Sequence, residues 1–463
     1  MSSRFIFDYH LSYVLIFIRI LFECEVQANK TTSGVLFVPV STGIKVRNTK
    51  PVSTISSDSE IHFNRKSNEY RIVCYYYAVD AWYRSERGFF VPEDIDPLLC
   101  THLHYAYGFI NPATLSLEPE DKWAEIDNKF YERVMSLKEI NPKLKVILAV
   151  GGWTDNTSSK FSAMVTQQSD RRTFIDNAIP FLELHGFDGL DIAWFFPVCW
   201  HGECSYDIRY HHFLSDHQSD LLNFGSFLRE IKNAFDQRES PLLLSATVSG
   251  DTMIARRCYD FAALALLDYI NVMAFDYVAH WNHMTGHQAP IYQQPGTSPE
   301  NNVNASINLY LRKGIPRWKL LVGIPAFGRS FTLTNPISHE PQSAAEGPGI
   351  KGKFTRAEGL LAFYEICDLV GRDGWRMEKD NESNFYAFSG DQWVSFDHPL
   401  TALTKAEYVS AHQLGGVMIW DIDRDDFIGT CFGKKFPLLT AINSILVDND
   451  FNHDPRDFSS SSS

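Results

Sequence analysis

Short runs of apolar, β-favouring residues recur along this chain at 71–77, 101–109, 145–150, 187–193, 242–249, 269–275, 320–324 and 416–420. The segments between them carry apolar positions at helical spacing. The clearest follows Ser219, a residue type that caps helices, with Phe224, Phe227, Leu228, Ile231 and Phe235 falling on one stripe. Eight strands alternating with helices predict an α/β fold, a (β/α)8 TIM barrel, whose functional side chains sit at the C-terminal ends of the strands.

The pattern divides the rest of the chain. Strands one to seven occupy 70–330, and strand eight with a last helix occupies 414–447. Between strands seven and eight, 331–413 is too long for one crossover helix. It holds Phe354, Leu360, Trp375, Tyr386 and Trp393, enough apolar material for a small α+β insertion domain. The polar stretch 29–69 reads as a poorly ordered leader and the serine-rich 448–463 as a tail.

At the start, an apolar run from Leu11 to Phe22 follows Arg4, and Val26-Gln27-Ala28 offers small residues for cleavage. This is read as a signal peptide spanning 1–28, in spite of Asp8 and Arg19. The run is shorter than the roughly 20 residues needed to cross a bilayer, so no membrane span is expected. Four N-glycosylation triplets, at Asn29, Asn156, Asn304 and Asn381, agree with a secreted, extracellular glycoprotein.

Composition narrows the partners. A formal net charge of −14 argues against nucleic acid and anionic membrane surfaces. The 34 Phe, 20 Tyr and 10 Trp exceed what an ordinary core requires. They suit either a Phe-rich core or walls on which sugar rings stack. A neutral polysaccharide would be indifferent to the charge.

The candidate chemistry lies in Phe187-Asp188-Gly189-Leu190-Asp191-Ile192-Ala193-Trp194-Phe195-Phe196. In a strand, alternate side chains share a face, so Asp191, Ala193 and Phe195 point one way, and only the first can hold a proton. The segment resembles the Asp-Gly-x-Asp-x-Asp-x-Glu signature of glycoside hydrolase family 18, the chitinases. Ala149-Val150-Gly151-Gly152-Trp153, the run from Asn271 to Tyr277, the run from Gly323 to Phe331 and Gly415-Gly416-Val417-Met418-Ile419-Trp420-Asp421 resemble further family motifs in the correct order. The Pro197-Val198-Cys199-Trp200 and Cys204 arrangement is similar to arthropod members.

The resemblance implies a retaining, endo-acting mechanism in which the substrate's own acetamide is the nucleophile, a Glu is the general acid and an Asp orients the acetamide. Here Phe195 stands at the acid position and Ala193 at the orienting position. Phe275 stands where a Tyr hydroxyl would grip the acetamide carbonyl, and only Asp188 and Asp191 remain of the signature. Losing a positioned general acid alone forfeits about 10²–10⁴-fold in rate. Glu203 and Asp207 are the nearby carboxyls that could substitute, but nothing holds a loop residue at the scissile oxygen. The Phe195 ring must stack on sugar or occupy its volume, and the sequence does not choose.

Binding positions survive better: the resemblance implies sugar contacts or cleft organisation for Tyr75, Trp153, Asp276, Trp281, Arg329 and Trp420. Asp191 reads equally as a structural carboxylate, and Asp276 and Arg329 as partners of one another. The resemblance also suggests disulfides Cys74–Cys100 and Cys367–Cys431, with Cys199 and Cys204 able to close a local loop and Cys258 the odd thiol. His280, His283 and His287 are loosely spaced for a metal, yet a solvated loop is expected, with no metal and no cofactor.

The expectation is a secreted chitinase-like pseudoenzyme that binds chitin or chitooligosaccharides. The rival readings are an interaction protein with a cell-surface partner, similar to the imaginal disc growth factors, and a chitinase with residual activity.

Overall fold

The computed structural model describes residues 70–153, 157–200 and 217–447. Among the described residues fifteen strands form two sheets. The first holds β1 (Arg71–Tyr77), β2 (His102–Asn111), β3 (Ser116–Pro119), β4 (Lys145–Gly152), β5 (Gly189–Trp194), β6 (Leu243–Ser249), β7 (Tyr269–Met273), β8 (Leu320–Pro325) and β15 (Gly416–Trp420). All but β3 pair in parallel, and β1 pairs with both β15 and β2. The result is a closed eight-stranded (β/α)8 barrel, with β3 an antiparallel addition on β2.

Barrel strands buried on both faces read as near-continuous apolar runs, which is why these eight were visible in sequence. Their ends were less so. The signature strand begins at Gly189 rather than 187, because Phe187 and Asp188 close the preceding turn and Asp188 accepts from the Val146 amide. Gly189 itself is required by packing: a Cβ there would stand 2.1 Å from the Leu243 carbonyl oxygen.

The helix read after Ser219 spans Ser219–Asp236 and buries Phe224, Phe227, Leu228, Ile231 and Phe235. Ser219 is not its cap, however. Gln218 occupies the cap position in helical geometry, and no side chain caps the end.

The second sheet contains β9 (Phe327–Leu333), β10 (Ala345–Pro348), β11 (Leu360–Ala362), β12 (Arg376–Lys379), β13 (Phe385–Ser389) and β14 (Gln392–Phe396), all antiparallel. It follows β8 after a single residue and has its own apolar cluster around Phe331, Tyr386, Phe388 and Trp393. The helix Pro399–Ala411 leaves this sheet and packs on the barrel, against β15 and the helix Pro437–Leu446. Disulfides join Cys74 to Cys100 and Cys367 to Cys431. Cys199 is also disulfide-bonded, and Cys204 lies outside the described residues. Cys258 is a buried free thiol, and burial raises its pKa. Among the described residues no helix is long and apolar enough to cross a membrane.

Candidate functional site

At the C-terminal ends of the strands lies a cleft of about 600 Å³. Its walls come from both sheets: Trp153 follows β4, Phe196 follows β5, Met273 ends β7, Phe275 and Asp276 follow it, Trp420 ends β15, and Leu360 reaches in from β11.

Beneath the cleft, the barrel interior is polar. The Asp191 carboxylate accepts from the Tyr75 hydroxyl at 2.5 Å, Ser245 at 2.5 Å, Thr247 at 2.8 Å and Asn271 at 3.2 Å. Burial raises its pKa, against the pull of those four donors. Beside it, burial lowers the His104 pKa to about 3, and its Nε2 is hydrogen-bonded to the Tyr269 hydroxyl at 2.8 Å. Asp191 is fully enclosed and is not among the residues that line the cleft. Asp188 is farther away still, at the opposite end of the strand, paired with Lys138 and Lys145.

Tyr75 does not line the cleft either. Only 1% exposed, it connects Asp191 to the cleft floor, its ring stacked on Trp420 with centroids 4.4 Å apart. Trp420 lies between two phenylalanines, with Phe195 and Phe275 each 6.1 Å away centroid to centroid.

Phe195 follows the end of β5, and its ring is 1% exposed and packs against Trp153 with centroids 5.0 Å apart. It fills the wall and leaves the cleft open beside it. Phe196, one residue on, lines the cleft in its place. Ala193 is wholly buried and offers no hydrogen-bonding side chain.

Two predicted aromatics remain accessible. Trp153 is 46% exposed and Trp281 is 40% exposed. Trp153 reaches the rim because Gly151 and Gly152 turn the chain at φ +118° and +91°, and a Cβ at Gly152 would meet the Tyr107 ring at 2.7 Å. Asp276, held at φ +62°, receives both ends of the Arg329 guanidinium at 2.6 Å. The same guanidinium lies over Trp281 at 5.4 Å and Phe327 at 5.0 Å. The pairing of Asp276 with Arg329 therefore shapes one wall.

The other carboxylate among the lining residues is Asp251, which accepts the amide protons of Met253 and Ile254 at 2.7 and 3.0 Å. Both carboxylates among the described lining residues are thus engaged as acceptors. Glu203 and Asp207 fall outside the described residues.

Sequence reasoning missed Tyr77, Tyr107, Asp251, Asn301, Leu360 and Arg424 as lining residues. Arg424 had a local signal in its position four after Trp420. Leu360 had none, since it belongs to the other sheet.

The three histidines do not converge. His280 packs beside Trp281, while His287 is buried 2.9 Å from Asp380, so the solvated-loop expectation fails for His287. Of the glycosylation triplets, Asn381 is exposed in the turn between β12 and β13. Asn304 lies in the helix Val303–Arg312, its side-chain oxygen accepting from Tyr408 and Asn308, with Ser306 of the same triplet fully buried. Asn29 and Asn156 lie outside the described residues.

Residues 71–425 match the model of the family described as glycosyl hydrolases family 18. Probable chitinase 10 of Drosophila melanogaster is 40% identical over 408 residues, which is 87% of this chain and 17% of that much longer protein. The Ostrinia furnacalis Group II chitinase catalytic domain 2 shares the architecture with a TM-score of 0.76 at 41% identity, over 82% of this chain and 97% of that domain. Human YKL-39, described as a pseudo-chitinase with retained chitooligosaccharide binding properties, superposes with a TM-score of 0.72 at 34% identity, over 82% of this chain and all of its own.

Proposed function

Because the chain belongs to the glycosyl hydrolases of family 18, we propose that it is a secreted, catalytically inactive member that binds chitin or N-acetylglucosamine oligosaccharides in its aromatic cleft. The observation that carries the reading is the set of side chains at the reacting end of the barrel. The positions that would protonate a leaving oxygen and hold an acetamide are Phe195, Ala193 and Phe275, and none can donate or accept a proton. The lining carboxylates, Asp251 and Asp276, are already bound to backbone amides and to Arg329.

What such a cleft can do is hold sugar rings by their faces. Trp420 forms the floor, Trp153 and Trp281 stand exposed at the rim, and the volume of about 600 Å³ falls within the roughly 300–1,000 Å³ of ordinary ligand pockets. The relative YKL-39 couples loss of catalysis to retained oligosaccharide binding, which makes the combination a coherent one for this fold. Two disulfides in the described chain fit an oxidising, extracellular setting.

The test is calorimetry and product analysis on one sample of the secreted protein with chitohexaose. Binding without new products is the expected result. Neither binding nor cleavage would favour a protein-partner role, and turnover abolished by a cleft substitution would overturn the assignment of inactivity.

A further inference from the structure

We infer that the cleft takes a chitooligosaccharide bearing an apolar acyl or aryl substituent in preference to one bearing acetamides alone. This rests on the glycan-binding reading and narrows its ligand class.

The middle of the cleft is walled by Phe196, Met273, Phe275, Phe327, Leu360 and Trp420. Several polar side chains elsewhere in the lining are already engaged. Asp276 and Arg329 hold each other, Asp251 caps a helix, and the Tyr277 hydroxyl is bonded to Ser306 at 2.6 Å. Arg424 is paired with the buried Asp421 at 2.8 Å.

An acetamide seated against Phe196, Met273, Phe275, Phe327 and Leu360 gives up water on its N–H and C=O and receives no hydrogen bond from those side chains, a loss of roughly tenfold or more in affinity for each unpaired group. A methylene in the same place gains roughly fourfold. The balance favours an apolar group where the sugar meets the centre of the cleft.

Charge limits the class further. The described lining residues include two carboxylates, Asp251 and Asp276, and two guanidinium groups, Arg329 and Arg424, which select neither a cation nor an anion. At the edge, the Asn301 side-chain amide has no partner among the described residues and can meet sugar hydroxyls. An apolar centre with a neutral polar edge fits a neutral amphipathic glycan.

Calorimetric titration of the full secreted chain compares three probes: chitotriose, chitotriose with one acetyl replaced by hexanoyl, and 4-methylumbelliferyl chitobioside. The expected result is that at least one substituted probe binds tenfold or more tighter than chitotriose. Tight binding of only the hexanoyl probe assigns an acyl source, and of only the umbelliferyl probe an aryl source. Leu360→Ser, at a partly exposed wall position, should cut the gain to less than threefold. Equal affinity for all three probes overturns this inference and leaves glycan binding intact. Failure of all three to bind overturns both.

Discussion

Tyr75 and Trp420 stack with ring centroids 4.4 Å apart, so the floor of the cleft rests directly on the hydrogen-bonded interior of the barrel. The Tyr75 hydroxyl is tied to Asp191, and Asp191 to β6 and β7 through Ser245, Thr247 and Asn271. A carboxylate that the family signature places near the chemistry here supports the floor instead.

Removing that carboxylate should destabilise the fold. Asp191→Ala takes the acceptor from four buried donors, of which Tyr75 and Asn271 retain only the Thr247 hydroxyl, at a cost of about 3 kcal/mol or more. Asp191→Asn keeps one acceptor oxygen and should cost less. Chemical denaturation of the two variants beside the parent checks the order, and equal stabilities would contradict the structural role.

Trp153 should report on ligand binding with little effect on folding, because it is 46% exposed. Trp153→Ala is expected to weaken chitohexaose binding roughly tenfold, the scale of losing one aromatic anchor, with an unchanged circular dichroism spectrum. Trp420→Ala should remove binding more completely but also destabilise, since that ring is 8% exposed. Unchanged chitin retention by both variants would place the glycan elsewhere.

Rebuilding the chemistry tests why it is missing. Phe195→Glu alone is expected to stay inactive on a fluorogenic chitobioside, because Ala193 and Phe275 still offer the acetamide no hydrogen bond. Phe195→Glu combined with Ala193→Asp and Phe275→Tyr should release measurable product, since these groups act as a unit. Turnover by the single variant would show that the acetamide needs no grip from those positions.

Stability should be greatest in mildly acidic solution. Burial raises Glu120 and Asp425 to about 7 and Glu125 to about 8, from ordinary values of 4.5, 3.8 and 4.5. What they contribute is fully present below those ordinary values and is lost as pH rises through 7 to 8. Burial lowers His102 and His104 to about 3 and His398 to about 4, from 6.5. Their contribution is present above 6.5 and is lost as pH falls toward 3. Burial also raises Asp421 to about 7, so four carboxyls oppose three histidines between about pH 4.5 and 6.5, each worth about 1.4 kcal/mol per pH unit. Above pH 6.5 only the carboxyls still titrate, so a melting temperature that falls from pH 6.5 to 8 is expected; a steady rise from pH 6 to 8 would contradict it.

The order of elements and the departures from the signature were legible in the chain itself. Strands buried on both faces must be apolar along their length, and a Phe or Ala at position 195 or 193 cannot ionise in any fold. Those facts are local. Which of Phe195 and Phe196 meets the cleft, that Tyr75 and Asp191 lie beneath it, and that Leu360 closes one side were decided only by tertiary packing. Barrel closure brings residues hundreds of positions apart onto one ring, and a second sheet leans over it. Side-chain alternation gives a residue's face in its strand, but depth along the barrel axis depends on the register of neighbouring strands, which no single segment encodes.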